Sequence, residues 1–207
     1  SSMLGFSMAI REALFNDYNR QNFFDETFDA THQVRPQYQK ILEMFESYGD
    51  TEFQRRRALV DLMFRNQGIT FTVYGDDKGT ERAFPFDPVP RVISAEEWAH
   101  LERGLRQRVK ALNLFLKDIY SEQQILKDEI IPASLVLGNP NFRRQVHGIH
   151  LPHNVYTHIV GCDLIRDDNG TYTVLEDNCR TPSGVSYMLA NRGVMARCFP
   201  KLMALQQ

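Results

Sequence analysis

Two β-rich segments joined by a tight turn carry the residues best suited to chemistry. Residues 159–166 and 171–176 are rich in residues that favour strands, and Asn169-Gly170 lies between them. Asn-Gly between such segments is the strongest short-range signal for a hairpin, because a type I′ turn needs a positive φ at both of its central residues. The sequence therefore predicts an antiparallel hairpin with Asn169 and Gly170 as its two loop residues.

This predicted pairing brings two carboxylates together. Counting back from the turn, Asp163 falls opposite Glu176, and such residues share one face with Cβ atoms about 4.5–5.5 Å apart. Because side chains alternate along a strand, Asn178 joins the same face. Facing like charges destabilise a sheet unless a cation lies between them or one pKa rises. Three hard oxygen ligands suit Mg²⁺ held together with substrate phosphates, so we predict Asp163, Glu176 and Asn178 as metal ligands.

The length of the loop decides this prediction, and other interpretations of the same residues stay open. A four-residue loop keeps Asp163 and Glu176 on one face, whereas a loop of three or five residues places them on opposite faces. The plain structural alternative is a surface hairpin with acidic residues on its solvated side. A third interpretation is a hydrolytic pair of carboxylates in which one acid has a raised pKa.

A longer pattern around these residues resembles a known family. Asp163, the triplet Glu176-Asp177-Asn178 and the Thr-Pro-Ser-Gly loop at 181–184 resemble the metal-binding end of the ATP-grasp ligases. Two longer strings are more specific: residues 175–189 (LEDNCRTPSGVSYML) and residues 65–76 (RNQGITFTVYGD). Both resemble the circularly permuted ATP-grasp proteins related to glutathionylspermidine synthase, and this resemblance implies a fold of that type.

The resemblance also implies ATP- and Mg²⁺-dependent ligation of a carboxylate to an amine. ATP would phosphorylate the carboxylate, the amine would attack the acyl phosphate, and phosphate would leave. Arg180, Ser183 and Gly184 are then the predicted catalytic residues, and Arg180 is also the predicted contact to the nucleotide. Many members of the family carry an arginine two residues before the metal aspartate, where this chain has Gly161. Arg180 is the predicted substitute.

Elementary chemistry agrees with these assignments. A helix is predicted over 185–198, which places Ser183 and Gly184 at its N-terminus, where unpaired N–H groups and the helix dipole attract anions. The guanidinium of Arg180 is suited to neutralise phosphate or acyl-phosphate charge. The structural alternative for Arg180 is a side chain bonded to loop carbonyls.

The remaining elements must position this hairpin in an α+β fold. Two helices are predicted on either side of a break at 48–50, a small β-hairpin over 69–86, and a long helix from Ser94 with an apolar stripe to Ile119. A further short helix is predicted over 8–18. We therefore predict a helical region with a small sheet over 1–90. Residues 91–207 are predicted to hold the long helix and the metal-binding hairpin of an incomplete ATP-grasp-like domain.

Composition excludes several classes of function. The chain has 207 residues, 43% hydrophobic and 24% charged, which is ordinary for a globular protein. Its net charge of −2 gives no electrostatic case for nucleic acid or an anionic membrane. No apolar run approaches the ~20 residues of a membrane span. Three scattered cysteines indicate a reducing compartment, so a cytoplasmic location is expected.

The expected partners follow from the length of the chain. ATP-grasp ligases clamp the nucleotide with lysine-bearing strands, which the resembled family places after the Glu-x-Asn segment. The chain is therefore expected to be the first half of a larger protein, completed by further chain or a second subunit. Its expected substrates are small or peptide-like carboxylates and amines. The alternative function is a non-catalytic peptide-binding or scaffold module that needs a partner chain.

Overall fold

A computed structural model describes residues 18–19, 23–72 and 81–205. Contacts divide the chain into two units, the first made of residues 1–94, 166–171 and 183–207 and the second of residues 95–165 and 172–182. The regular elements of the described residues are, in chain order, α1 (Pro36–Asn66), β1 (Thr70–Thr72), β2 (Glu81–Ala83), α2 (Ala95–Ile119), α3 (Gln124–Lys127), α4 (Ala133–Leu137), β3 (Gly161–Arg166), β4 (Tyr172–Asn178), α5 (Gly184–Cys198) and α6 (Pro200–Ala204).

Helix α1 breaks and ends where the sequence predicts. Gly49 has the non-helical angles φ 66° and ψ 170°, which interrupt the helix at the predicted position. Pro36 occupies the first turn, where its missing N–H removes no helical hydrogen bond. Gly68 follows the last turn with φ 63°, a left-handed conformation that glycine adopts without a Cβ clash.

The core of the first unit forms between the two halves of α1 and the C-terminal helices. Phe64, Phe199 and Val194 are almost completely buried there. Strands β1 and β2 pair in antiparallel fashion with Thr70 opposite Ala83, which confirms the predicted small hairpin. Its predicted turn and residues 8–17 of the predicted N-terminal helix lie outside the described residues.

The second unit is organised around α2. The apolar stripe of this helix is buried only in part, since Leu101 is 8% exposed whereas Trp98 is 50% and Leu114 is 56% exposed. At its C-terminal end, Ile119 joins a small core with Leu126 and Val136. The helix and one face of β3–β4 line a cleft of about 420 Å³ whose apolar walls are Leu101, Leu105, Leu164, Tyr172 and Val174.

These elements confirm the predicted α+β fold, in which helices accompany two small antiparallel sheets. Among the residues that the structure describes, no helix is both long enough and apolar enough to cross a membrane. The domain division at residue 90 stays a prediction.

Candidate metal centre

The turn between β3 and β4 has three loop residues, so the predicted two-residue loop is wrong. The N–H of Gly170 donates to the Asp167 carbonyl at 2.9 Å, and the N–H of Asp167 donates to the Thr171 carbonyl at 3.0 Å. Gly170 has φ 81°, whereas Asn169 does not adopt the positive φ that a type I′ turn requires. The Asp167 carboxylate stabilises this longer turn by accepting bonds from the N–H groups of Asn169 and Thr171.

A three-residue loop alone would separate the two carboxylates, because it sets Asp163 opposite Leu175 rather than Glu176. The exposure pattern of β4 shows how they meet nonetheless. Exposed and partly buried residues alternate from Tyr172 to Leu175, but Leu175 and Glu176 are both exposed, and alternation resumes at Asp177. A one-residue slip in exposure of this kind is the pattern that a β-bulge gives. The loop and the slip compensate each other.

The three predicted ligands consequently share one solvent-facing surface. The Asn178 amide nitrogen Nδ2 lies 3.5 Å from Asp163 Oδ1 and 3.2 Å from Glu176 Oε1. The two carboxylate oxygens are therefore separated by no more than the sum of these distances. All three side chains are exposed. In this arrangement the amide N–H groups lie between two like charges and offset their repulsion.

These residues fit a hard divalent cation by their donor chemistry. Rotating the Asn178 amide by half a turn exchanges Nδ2 for Oδ1, which turns the side chain from a hydrogen-bond donor into a third oxygen ligand. Across residues 18–19, 23–72 and 81–205, no group of three or more His, Cys, Asp or Glu side chains is arranged to hold a metal. The candidate centre consists of two carboxylates and an amide instead.

The opposite face of β4 carries an ion pair that the sequence analysis missed. Arg108 of α2 reaches both oxygens of Asp177, with Nε at 2.9 and 2.8 Å and Nη2 at 2.7 Å from Oδ2. The position of Arg108 off the apolar stripe of α2 predicts a solvated side chain, whereas the structure places its guanidinium on Asp177. The alternation of side chains along β4 could have predicted one half of this pair, because Asp177 must point inward if Glu176 and Asn178 point outward.

This ion pair shifts the titration of its neighbours. The Arg108 guanidinium holds the pKa of Asp177 below its usual range, and Asp177 in turn raises the pKa of Arg108. Burial, followed by the hydrogen bond to Asp177 and its charge, raises the pKa of the Cys162 thiol to about 11. Burial likewise raises the pKa of Cys179. Neither thiol is therefore a ready nucleophile near neutral pH.

Arg180 follows β4 and is exposed. Its Nη1 donates to the side-chain oxygen of Asn141 at 2.9 Å, which is a side-chain amide and not the loop carbonyl of the structural alternative. The preceding residue is held in place because the Thr157 hydroxyl donates to the Cys179 carbonyl at 2.7 Å. The backbone just before Arg180 is therefore held in place, while Arg180 itself is exposed to solvent.

Gly161, two residues before Asp163, is closely surrounded by other side chains. A Cβ at this residue would lie 3.1 Å from the Cβ of Pro182 and 3.5 Å from the Cβ of Asn178. A larger side chain would therefore push on a predicted metal ligand and on the loop that follows it.

Ser183 and Gly184 belong to the first unit and open α5. Ser183 is the N-cap residue with φ −70°, and it makes no side-chain capping bond. Among the residues that the structure describes, none has an atom within 4 Å of a Cβ placed on Gly184, so there is space beside this residue. An α-helix leaves its first N–H groups without intrahelical acceptors, which suits anion binding.

Comparison with known proteins identifies the family. The sequence model of a family described as "a circularly permuted ATPgrasp" matches residues 90–207, more than half of the chain. The chain belongs to the circularly permuted ATP-grasp family, which confirms the resemblance drawn from the Glu-x-Asn segment.

Individual relatives extend this finding. An uncharacterised protein of Mycobacterium leprae is 47% identical over 202 residues, which are 96% of this chain and 35% of the relative. An uncharacterised Synechocystis protein is 45% identical over 185 residues, 89% of this chain and 38% of the relative. A Frankia casuarinae protein named "Putative glutamate--cysteine ligase 2-2" is 38% identical over 179 residues, 86% of this chain and 20% of the relative. The chain thus spans little more than a third of the length of the first two relatives and a fifth of the length of the third.

Proposed function

We propose that this chain is part of an ATP- and Mg²⁺-dependent ligase that joins a carboxylate to an amine through an acyl phosphate. Membership of the ATP-grasp family supports the general class of enzyme. The name of the Frankia relative describes a ligase of this kind. The type of bond formed and the substrates of this protein belong to the proposal.

One observation carries the proposal. The carboxylates of Asp163 and Glu176 both approach the same nitrogen of Asn178 on an open face of the hairpin. In the proposed enzyme these three side chains hold Mg²⁺. The bound ion supplies neutralisation of phosphate charge and alignment of the transferred phosphoryl group.

Two further elements are proposed to bind the reacting groups. Arg180 is exposed and has five N–H donors, of which Nη1 binds Asn141, so its guanidinium is suited to bind nucleotide or acyl phosphate. The N-terminus of α5, where Ser183 makes no side-chain capping bond, is proposed to provide backbone donors for an anionic group.

The finer features of the proposal come from the family resemblance. We propose specificity of the glutathionylspermidine synthase kind, with a small or peptide-like carboxylate and an amine as substrates. The nucleotide-clamping lysines are proposed to come from further chain or from a second subunit, and the location of the protein is proposed to be cytoplasmic.

The test is thermal stabilisation of the full-length protein by its nucleotide. Millimolar Mg²⁺·ATP is expected to raise the Tm, because ligand that binds only the folded state stabilises it. Asp163→Asn combined with Glu176→Gln is expected to abolish the shift. Asp168→Asn removes the same kind of charge from the exposed hairpin loop and is expected to preserve it. An identical shift in the double variant would overturn the metal assignment.

A binding or scaffold module is the second candidate. Its supporting observation is the apolar stripe of α2, along which Trp98 and Leu114 are half exposed or more. Such a face is suited to pack against another protein surface. Absence of any Mg²⁺·ATP shift in the unsubstituted full-length protein would favour this function over the ligase.

A further inference from the structure

Asp177 lies between the two predicted ligands of β4 and faces the opposite way. Its side chain is only 11% exposed, although Glu176 and Asn178 on either side of it are exposed. Both of its oxygens accept from Arg108 Nε, and Nη2 of the same guanidinium approaches Oδ2 at 2.7 Å. The Arg108 side chain is 44% exposed, but a carboxylate that is 11% exposed and accepts from two guanidinium nitrogens is held more firmly than one in a fully exposed ion pair with a single contact.

Neighbouring side chains of a strand point to opposite faces, so fixing one residue fixes the two beside it. β4 needs such fixing at this point, because its alternation slips at Leu175 and Glu176. Without the slip, Glu176 and Asn178 would turn toward α2, and the face that carries Asp163 would lose both partners. Holding Asp177 inward keeps the slip in place.

We infer that Arg108 and Asp177 are positioning residues for the divalent-cation site, holding Glu176 and Asn178 on the face of Asp163. This inference rests on the proposed function, since it concerns the same cation. Neither residue touches the cation, because both lie on the other side of the sheet. The pair acts by holding Asp177 inward, which keeps Glu176 and Asn178 on the exposed face of β4.

The experiment measures Mn²⁺ affinity by electron paramagnetic resonance, with Mn²⁺ alone as the probe. Asp177→Asn and Arg108→Gln are each expected to weaken binding about tenfold, as loss of outer-sphere partners of metal ligands commonly does. The double variant is expected to bind no more weakly than either single variant, because the two residues act as one unit. Arg108→Lys keeps the positive charge but loses the bidentate geometry of the guanidinium. Its Mn²⁺ affinity is expected to lie between that of the unsubstituted protein and that of Arg108→Gln.

Arg106→Gln is the matched control. Arg106 is on the same helix and forms an ion pair with Glu102, and its side chain is 79% exposed. Its loss is expected to leave Mn²⁺ affinity unchanged. Thermal unfolding gives the Tm of every variant. Because Mn²⁺ affinity is then measured well below each Tm, a weaker affinity reports a lost positioning role and not a partly unfolded protein.

Two results would overturn the inference, and they are distinguishable. If the unsubstituted protein binds Mn²⁺ with an affinity that Asp163→Asn abolishes, but Asp177→Asn and Arg108→Gln bind equally well, the positioning role fails while the metal site stands. If the unsubstituted protein does not bind Mn²⁺, the positioning role and the metal assignment of the proposed function fail together.

Discussion

At the scale of single residues, Asn178 explains how two exposed carboxylates share one face. Its amide nitrogen contacts Asp163 Oδ1 and Glu176 Oε1, so N–H groups lie where a cation is proposed to bind. An aspartate at this position would add a third negative charge, whereas an amide offers either donors or an oxygen by simple rotation. The residue type therefore suits a site that alternates between metal-free and metal-bound states.

Cys162 allows a residue-scale prediction about reactivity. Because its pKa is raised to about 11, the thiol stays protonated at neutral pH and ionises only as the pH approaches that value. At pH 8 its thiolate fraction is roughly a hundredfold below that of an ordinary thiol with a pKa near 9. Alkylation by iodoacetamide in the presence of EDTA, followed by peptide mass spectrometry, is expected to be slow in the folded protein and fast in urea.

Asp177→Asn sharpens this test. The hydrogen bond and charge of Asp177 raise the pKa of Cys162, so the variant is expected to alkylate faster at this residue. Cys198 is an internal control. Burial raises its pKa, and the charges that lower it belong to Arg56 and Arg197 and not to the pair of Arg108 and Asp177. Equal rates at Cys162 in folded and urea-unfolded protein would contradict the assigned environment.

At the scale of elements, the hairpin turn is anchored by an aromatic ring. A Cβ at Gly170 would lie 2.8 Å from Phe24 Cε2, and the residue has φ 81°. The same ring lies against the guanidinium groups of Arg35 and Arg166, whose carbons are 4.7 and 4.4 Å from the ring centroid. Glycine is thus required at position 170 for two reasons: its φ is positive, and the Phe24 ring lies too close for a Cβ.

Gly170→Ala is accordingly expected to lower the free energy of unfolding by about 1–3 kcal/mol, the usual cost of a strained left-handed residue. The measurement is urea unfolding followed by circular dichroism. Gly104→Ala is the comparison, because nothing lies within 4 Å of a Cβ at that position of α2. Alanine there is expected to stabilise by up to about 1 kcal/mol. Equal effects of the two substitutions would show that the turn tolerates a side chain.

Local chemistry made many elements predictable from sequence, but not the face that each helix buries. Gly49 and Gly68 mark the interruption and end of α1 as expected, because their backbone angles are local properties. Helical spacing in the second half of α1 predicts Leu59, Leu62 and Met63 on the inward face. Met63 packs against the core, but Leu59 and Leu62 are 44% and 50% exposed. Val60 and Phe64 are buried instead, since tertiary packing chooses among apolar positions that satisfy the same spacing.

The hairpin shows a second limit of prediction at this scale. Asn-Gly correctly indicated a turn, but the Asp167 side chain stabilises three loop residues rather than two. The compensating slip in β4 has no sequence signal of its own. The shared face of the ligands was therefore predicted correctly, although the turn contains one loop residue more than expected.

At the scale of the whole molecule, the family could be recognised from two strings of residues, and the family comparison confirms it over residues 90–207. The long-range ion pair of Arg108 with Asp177 could not be predicted, because 69 positions separate the two residues and no local pattern joins them. The roles of Arg180, Ser183 and Gly184 remain predictions. They depend on chemistry with a bound nucleotide rather than on the conformation of the chain alone.

The most direct test of the central claim is a crystal of the protein soaked in Mn²⁺ and measured at the manganese absorption edge. The account predicts one anomalous peak at coordination distance from Asp163, Glu176 and Asn178, with the Asn178 amide rotated so that Oδ1 faces the ion. Asp163→Asn is expected to remove the peak. Two results would contradict this account. One is Mn²⁺ bound at full occupancy elsewhere on the protein with no peak at this face. The other is an Asn178 amide nitrogen that still lies between the two carboxylates at saturating Mn²⁺.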